Sequence, residues 1–122
     1  MQDLINYINN KKPVMIFGGV EYKINNHYKV TVIIEGLQKE LEKRAKIDPD
    51  FNQVAEQFAF MEKAIKLTGG EQFWTAVDEL ELDEMELAKI TQLIMLIRSG
   101  KTEEEAIAEA TKIETEVDKK KE

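Results

Sequence analysis

The chain has 122 residues, and its 24 acidic and 17 basic side chains give a formal net charge of −7. A chain of this length usually folds as one domain around a single hydrophobic core. It contains no cysteine, which excludes disulfides and thiol catalysis. No apolar run reaches the roughly 18 residues that a membrane-spanning helix needs, and the first residues lack a basic segment and a small-residue cleavage site. We therefore expect a single-domain cytoplasmic protein that does not cross a membrane.

The charge is unevenly distributed along the chain. Residues 1–68 carry ten basic and nine acidic side chains, residues 69–100 carry two and seven, and residues 101–122 carry five and eight. An acidic surface repels the phosphate backbone, so nucleic acid is not an expected partner. The acidic C-terminal half fits either ordinary solubility or a basic protein partner.

A β-hairpin is predicted at about residues 14–24. Two short runs rich in β-branched and aromatic residues, 14–17 and 20–24, flank Gly18 and Gly19. Two glycines can adopt the positive φ angles of a tight hairpin turn. Apolar and polar residues alternate in the second run, so one of its faces is expected to pack on a helix.

Five helices are predicted after the hairpin, from apolar residues at helical spacing. Asp48 before Pro49 marks the start of the second helix, and a capping box formed by Thr102 and Glu105 marks the start of the fifth. The predicted helices occupy about residues 28–46, 49–68, 71–80, 84–99 and 103–117.

The fourth of these helices is the most apolar, and we expect the core to form around it. Asp83 and Glu86 form a D-x-x-E variant of the capping box at its start, and Gly100 supplies the left-handed residue that ends it. Leu93 and Ile94 are predicted to be central. The predicted fold class is α+β, mainly α, with an N-terminal β-hairpin packed on a bundle of about four to five helices, in a single domain over residues 1–117.

Both ends of the chain are predicted to pack weakly. Residues 3–10 have the spacing of a short helix with Leu4, Ile5 and Ile8 on one side. The last helix has a thin apolar side of small residues, so residues 118–122 are predicted to be a charged, solvated tail.

No catalytic, cofactor or metal site is expected. His27 is the only histidine and follows two asparagines, which is typical of a turn or a helix-capping residue. The carboxylates of residues 78–86 lack the spacing and the glycine of an EF-hand, and we interpret them as a solvated acidic face. The glycine pairs at 18–19 and 69–70 belong to no phosphate-binding pattern. The sequence therefore predicts a protein that is not an enzyme.

The short third helix contains the candidate partner-binding residues. Phe73, Trp74, Val77 and Leu80 form its apolar side. A partly exposed Trp74 beside acidic residues would make an anchor for a partner protein. The other interpretation places Phe73 and Trp74 in the core. Both interpretations stay open at this point. The sequence also leaves open a homo-oligomer.

The layout of the chain resembles that of the small tail assembly chaperones of long-tailed phages and prophages. The resemblance rests on the hairpin of residues 17–24, the helix from Tyr28, and the helix end and helix start in residues 96–106. It implies a non-enzymatic protein in the host cytoplasm that binds the tape-measure protein and keeps it soluble until the tail polymerises. It also implies that a longer form can arise by a ribosomal slip, for which the lysine codons of residues 119–121 are suitable. The segment 3–10 departs from the simplest version of that layout.

The competing interpretation is a small acidic regulatory module, such as an antitoxin-like or inhibitor protein, that masks a basic partner protein. The two interpretations differ in the partner they require. The chaperone binds a very long, coiled-coil-rich protein, whereas the regulator binds a small basic one.

Overall fold

The computed structural model describes residues 3–8 and 11–121, with side chains described as far as residue 112 except that of Tyr7. In this part of the chain, one antiparallel hairpin is followed by five α-helices and packs on them, which confirms the predicted fold class. In chain order the elements are a 3₁₀ helix Leu4–Tyr7, β1 Val14–Phe17, β2 Val20–Lys23, α1 Tyr28–Ile47, α2 Gln53–Gly69, α3 Glu71–Glu79, α4 Glu84–Arg98 and α5 Glu103–Lys121.

The strands β1 and β2 form the predicted hairpin, which is closed by two glycines. The φ angles of Gly18 and Gly19 are 58° and 78°, and positive φ at both central residues is the requirement of a type I′ turn. The two-residue loop sets the register, so that Met15 lies opposite Tyr22. These two side chains pack toward the helices. Because successive side chains of a strand point to opposite faces, Ile16 lies on the other face of the hairpin.

The core lies between the hairpin, the C-terminal half of α2, and the helices α3, α4 and α5. Its fully buried centre includes Ile94 of α4 and Phe73 of α3. The other buried members are Met15, Ile24, Ile65, Val77, Ile97 and Ala106. Of the two residues predicted to be central, Ile94 is in the core, but Leu93 is only partly buried because it lines a groove on the side of α4.

Asp83 caps the start of α4 and Gly100 ends it, as predicted, and of the capping box the structure shows the Asp83 half. The Oδ1 atom of Asp83 accepts a hydrogen bond from the backbone N–H of Glu86 at 2.8 Å. At the other end Gly100 has a φ of 109°, and the N–H of Lys101 donates to the carbonyl of Leu96 at 3.2 Å. This is the Schellman geometry that satisfies the last carbonyl groups of a helix.

The predicted start of α2 is wrong by four residues. Asp48 and Pro49 form a turn, in which the Oδ1 atom of Asp48 accepts from the backbone N–H of Asp50 at 2.9 Å. The helix begins after Asn52, whose side chain accepts from the N–H of Ala55 at 3.1 Å. An Asp-Pro pair suits the first two positions of a β-turn as well as it suits a helix start, so the sequence signal was ambiguous.

Helix α1 packs on α2 with one side only. Leu37 and Leu41 are partly buried on that side. The guanidinium group of Arg44 donates two hydrogen bonds to the carboxylate of Glu56, at 2.7 and 3.1 Å. These bonds and the carboxylate charge raise the pKa of Arg44. The same guanidinium lies 5.8 Å from the ring centre of Phe51, so a cation–π contact adds to the pair.

The start of α1 is held by His27 and Arg98. The Nδ1 atom of His27 accepts a hydrogen bond from the N–H of Lys29 at 3.1 Å, which confirms the predicted capping role. Arg98, the last residue of α4, donates to the carbonyl groups of Asn25 and His27 and to the hydroxyl of Thr31. The hairpin exit, the start of α1 and the end of α4 are therefore tied together.

The N-terminal helix predicted over residues 3–10 is shorter than expected. The described helical residues form a single 3₁₀ turn, Leu4–Tyr7, capped by the side chain of Asp3. Leu4, Ile5 and Ile8 are exposed. A helix of about one turn has few hydrogen bonds to offset its nucleation cost. Residues 9 and 10 lie outside the described residues.

The last helix is longer than predicted. Its backbone stays helical to Lys121, beyond the predicted end at residue 117 and into the predicted tail of residues 118–122. The helix-forming Lys and Glu residues at this end favour that continuation. Whether the tail is solvated lies outside the described part, because side chains are described only to residue 112 and Glu122 is not included.

Candidate interaction surface

The four residues predicted to bind a partner do not form one surface. Phe73 is fully buried and Val77 is 2% exposed, so both are core residues. Trp74 is partly buried and packs against the core. Leu80, just beyond the end of α3, is exposed. The apolar side of α3 packs in the core, so Phe73 and Val77 are not available to a partner, and for Phe73 the core interpretation holds.

A different apolar surface lies between the edge of β1, one side of α4 and the start of α5. We call it the β1–α5 groove and define it by six of the residues that line it, Ile16, Ile90, Leu93, Ile97, Glu103 and Ile107. The groove encloses about 110 Å³. Small-molecule sites usually enclose about 300–1,000 Å³, so this groove is better matched to side chains of a protein partner.

The floor of the groove is packed with aromatic side chains. Phe73, which lies beneath it, makes edge-to-face contacts with the rings of Phe17 and Tyr22, each at a centroid distance of 5.1 Å. Such contacts stabilise aromatic pairs by about 0.5–1.5 kcal/mol beyond the burial of apolar area. The hairpin is therefore held against α3 by its own aromatic side chains, which keeps β1 in place beside the groove.

The rims of the groove expose two isoleucines. Ile16 of β1 is 61% exposed and Ile107 of α5 is 56% exposed. Between them, Ile90 and Leu93 of α4 are partly buried. Single exposed apolar residues are common on protein surfaces. These four residues are instead brought together along one groove, which makes them a candidate interaction surface.

The edge of β1 is joined to α5 by one hydrogen bond. The backbone N–H of Ile16 donates to the Oε1 atom of Glu103 at 3.3 Å. In the hairpin register Ile16 is paired with Glu21, and its N–H points outward, away from β2. An unpaired strand edge is prone to pair with other strands, and a charged side chain placed on it limits that pairing.

The capping box at the start of α5 sets the position of Glu103 and Ile107. The hydroxyl of Thr102 accepts from the N–H of Glu105 at 3.2 Å. The carboxylate of Glu105 accepts from the hydroxyl and the backbone N–H of Thr102, at 3.0 and 3.3 Å. These two hydrogen bonds lower the pKa of Glu105. The predicted box is thus formed, and it fixes the first turn of the helix.

The charged side chain that lines the groove is acidic. Glu103 lines it, Glu21 lies opposite Ile16 in the hairpin, and Glu86 precedes Ile90 by one helical turn. Lys101 is close in sequence, but its amino group pairs with the carboxylate of Glu109 at 3.2 Å. A partner with apolar anchors and flanking Lys or Arg residues would match both the shape and the charge of this surface.

The β1–α5 groove was not predicted from the sequence. All four residues of β1 are apolar, so the run itself does not show which of them faces outward. The information was present in the glycine turn. A two-residue loop places Met15 opposite Tyr22 on the inner face, which leaves Ile16 on the outer face. Ile107 was assigned to a weakly packed helix side, but its position beside β1 depends on tertiary packing.

Among the residues whose side chains the structure describes, no group of three or more His, Asp or Glu has a geometry that could hold a metal ion. No helix in the described part is both long enough and apolar enough to span a membrane. Comparisons of the chain with protein-family models, curated proteins and solved structures gave no match.

Proposed function

We propose that this protein is a tail assembly chaperone that binds a helical segment of the tape-measure protein of a long-tailed phage in the β1–α5 groove, in the host cytoplasm. The observation that carries the proposal is the apolar lining of this groove, in which Ile16 and Ile107 are exposed at the rims and Ile90 and Leu93 are partly buried between them. The layout of the hairpin and the helices, which resembles that of these chaperones, supports the choice of partner.

An amphipathic helix fits this groove better than an extended strand does. A strand added to the edge of β1 would need the outward N–H of Ile16, which already donates to Glu103. A helix requires no backbone donor from the groove, because its own hydrogen bonds are internal. It would place apolar side chains at i, i+3, i+4 and i+7 against Ile90 and Leu93.

A chaperone role is supported because such a contact would cover the apolar side of the bound helix. A long apolar helix aggregates in water unless its apolar side is buried. A small acidic protein bound to that side hides the apolar surface and adds negative charge, which favours solubility. Release needs no chemical step. During assembly the helices of the tape-measure protein pack against one another, and this packing competes with the chaperone for the same apolar side.

Co-expression with the tape-measure protein tests the proposal. We expect the wild-type chain to raise the soluble yield of that protein and to co-purify with it. The double variant Ile16→Thr with Ile107→Gln keeps the strand and helix preferences of both sites, and it should lose both effects. The matched control, Ile47→Gln with Val54→Gln, changes two equally exposed apolar residues outside the groove and should behave as wild type. No solubility gain and no co-purification with the wild-type chain would overturn the proposal.

A further inference from the structure

The segment before the hairpin exposes three large apolar side chains close together. Leu4 is 75% exposed, Ile5 63% and Ile8 65%. The backbone of this segment forms a single 3₁₀ turn, and none of the three side chains belongs to the core. Apolar surface in contact with water is unfavourable, so a place in the fold that covers these side chains would stabilise the chain.

The sequence of this segment has the features expected of a ligand for the β1–α5 groove. Leu4, Ile5 and Ile8 lie at i, i+1 and i+4, so in a helical conformation they share one side. Two lysines, at residues 11–12, follow them. Apolar anchors with flanking basic residues match the apolar lining of the groove and the negative charge of Glu103.

The connection from this segment to β1 is long enough to reach the groove. Five residues separate Ile8 from Val14, the first residue of β1. A connection of this length spans up to about 20 Å when it is extended. Ile16, at the rim of the groove, lies only about 7 Å beyond Val14 along the strand. The segment can therefore reach the groove while β1 keeps its place.

The connection already runs beside the groove. Lys12 lines a cleft together with Glu104 at the start of α5. Ile97 and Glu103 line both this cleft and the β1–α5 groove, so the two are neighbours. A positive charge on the connection and a negative charge on α5 favour this position.

We propose that the segment Leu4–Ile8 closes the β1–α5 groove of its own chain in a helical turn when no partner is bound. The structure has the open arrangement, in which the segment and the rims of the groove are both exposed. Closure covers both apolar surfaces at once, and the short connection gives the segment an effective concentration on the order of millimolar at the groove. A longer partner helix with anchors at i, i+3, i+4 and i+7 covers more of the groove and displaces the segment. The contact within the chain stands independently of the partner, whereas its effect on binding rests on the proposed function.

Methyl NMR of the free full chain tests the contact. We expect the triple variant Leu4→Asn, Ile5→Asn and Ile8→Asn to change the methyl signals of Ile16 and Ile107 and to leave those of α1 in place. In the wild type, nuclear Overhauser contacts should join the methyl groups of the segment to Ile107. The three substituted side chains are exposed, so the variant should fold, which circular dichroism verifies.

Two results of this comparison would overturn the proposal. One is identical methyl signals of Ile16 and Ile107 in the wild type and in the triple variant. The other is a contact that appears only as the protein concentration rises, because the segment would then occupy the groove of a second copy.

Titration with an amphipathic peptide from the tape-measure protein measures the effect on binding. The apparent Kd is the intrinsic value divided by the fraction of open molecules, so we expect the triple variant to bind about threefold more tightly or better than the wild type. The control Ile47→Gln with Val54→Gln changes two exposed apolar residues outside the segment and should bind as the wild type does. Equal or weaker binding by the triple variant would contradict closure. If no chain binds the peptide, the proposed function fails, and the methyl signals of the free chain still decide whether the groove is closed.

Discussion

The Nε atom of Arg98 donates a hydrogen bond to the carbonyl oxygen of Asn25 at 2.9 Å, which joins the end of α4 to the turn before α1. The same guanidinium donates to the carbonyl of His27 at 3.0 Å and to the hydroxyl of Thr31 at 2.8 Å. One side chain thus connects two segments that are far apart in the chain. The planar guanidinium, with its five donors in a fixed arrangement, is suited to such a contact.

We expect Arg98→Ala to lower the free energy of unfolding by about 1–3 kcal/mol, because three acceptors lose a charged donor. Arg98→Lys should recover only part of this, since an ammonium group cannot reproduce the geometry of the guanidinium. Chemical denaturation measures both. The control is Lys66→Ala, which removes one partly exposed ion pair with Glu62 at 3.1 Å and should cost about 0.5 kcal/mol or less. Equal losses for Arg98→Ala and Lys66→Ala would show that the contact does not stabilise the fold.

Substitution of alanine for each of two helical glycines should change the stability of the protein in opposite directions. A Cβ atom on Gly69 would lie 2.6 Å from Cδ1 of Phe73, whose ring is buried and held between Phe17 and Tyr22. Gly69→Ala should therefore destabilise the protein by about 1–3 kcal/mol. Gly36→Ala meets no neighbour and should stabilise the protein by up to about 1 kcal/mol. Thermal unfolding compares them, and a Gly69→Ala variant at least as stable as the wild type would contradict the packing at Gly69.

Truncation on α4 should distinguish the core from the groove. Ile94 is fully buried, and Ile94→Ala should cost about 2–5 kcal/mol. Leu93 is partly buried and lines the β1–α5 groove, so Leu93→Ala should cost less than Ile94→Ala and should weaken binding of the partner helix. Chemical denaturation gives the order of the two losses. A larger loss for Leu93→Ala would mean that the side of α4 assigned to the groove is part of the core.

Much of the fold could be predicted because the signals were local. The glycine pair of the hairpin, the Asp83 cap and the Gly100 end of α4 act through backbone geometry within a few residues, and each is found where it was predicted. The start of α2 failed because Asp48 and Pro49 suit a turn and a helix start equally. The local sequence alone therefore does not decide between a turn and a helix start at these two residues.

The interaction surface could not be predicted because it depends on contacts between distant residues. Phe73 and Val77 were recognised as the apolar side of a helix, but the sequence does not show whether such a side meets the core or a partner. Ile16 and Glu103 are 87 residues apart, and their contact follows from the way α5 packs beside β1. Periodicity identifies apolar sides of elements, and only packing shows which of them stay exposed.

Low pH should destabilise the start of α5, because protonation of Glu105 weakens its capping box. Hydrogen bonds from Thr102 lower its pKa below the ordinary glutamate value of about 4.3. Because the folded state holds the carboxylate ionised to lower pH than the unfolded state does, the stabilisation is present at neutral pH and is lost as the pH falls below about 4. An NMR titration of the Glu105 carboxyl carbon measures this pKa, and Thr102→Val should raise it toward the ordinary value. An unchanged titration midpoint in that variant would contradict the assigned cause.

The binding claim is tested most directly by methyl NMR of the isoleucines and leucines while an amphipathic helical peptide from the tape-measure protein is added. We expect the methyl signals of Ile16, Leu93 and Ile107 to shift together and to saturate with peptide concentration, because the helix covers the groove they line. The signal of Ile47, which is exposed on α1 outside the groove, should stay in place. Absence of any saturable shift, or shifts confined to residues outside the groove, would contradict the assignment of the β1–α5 groove as the binding site.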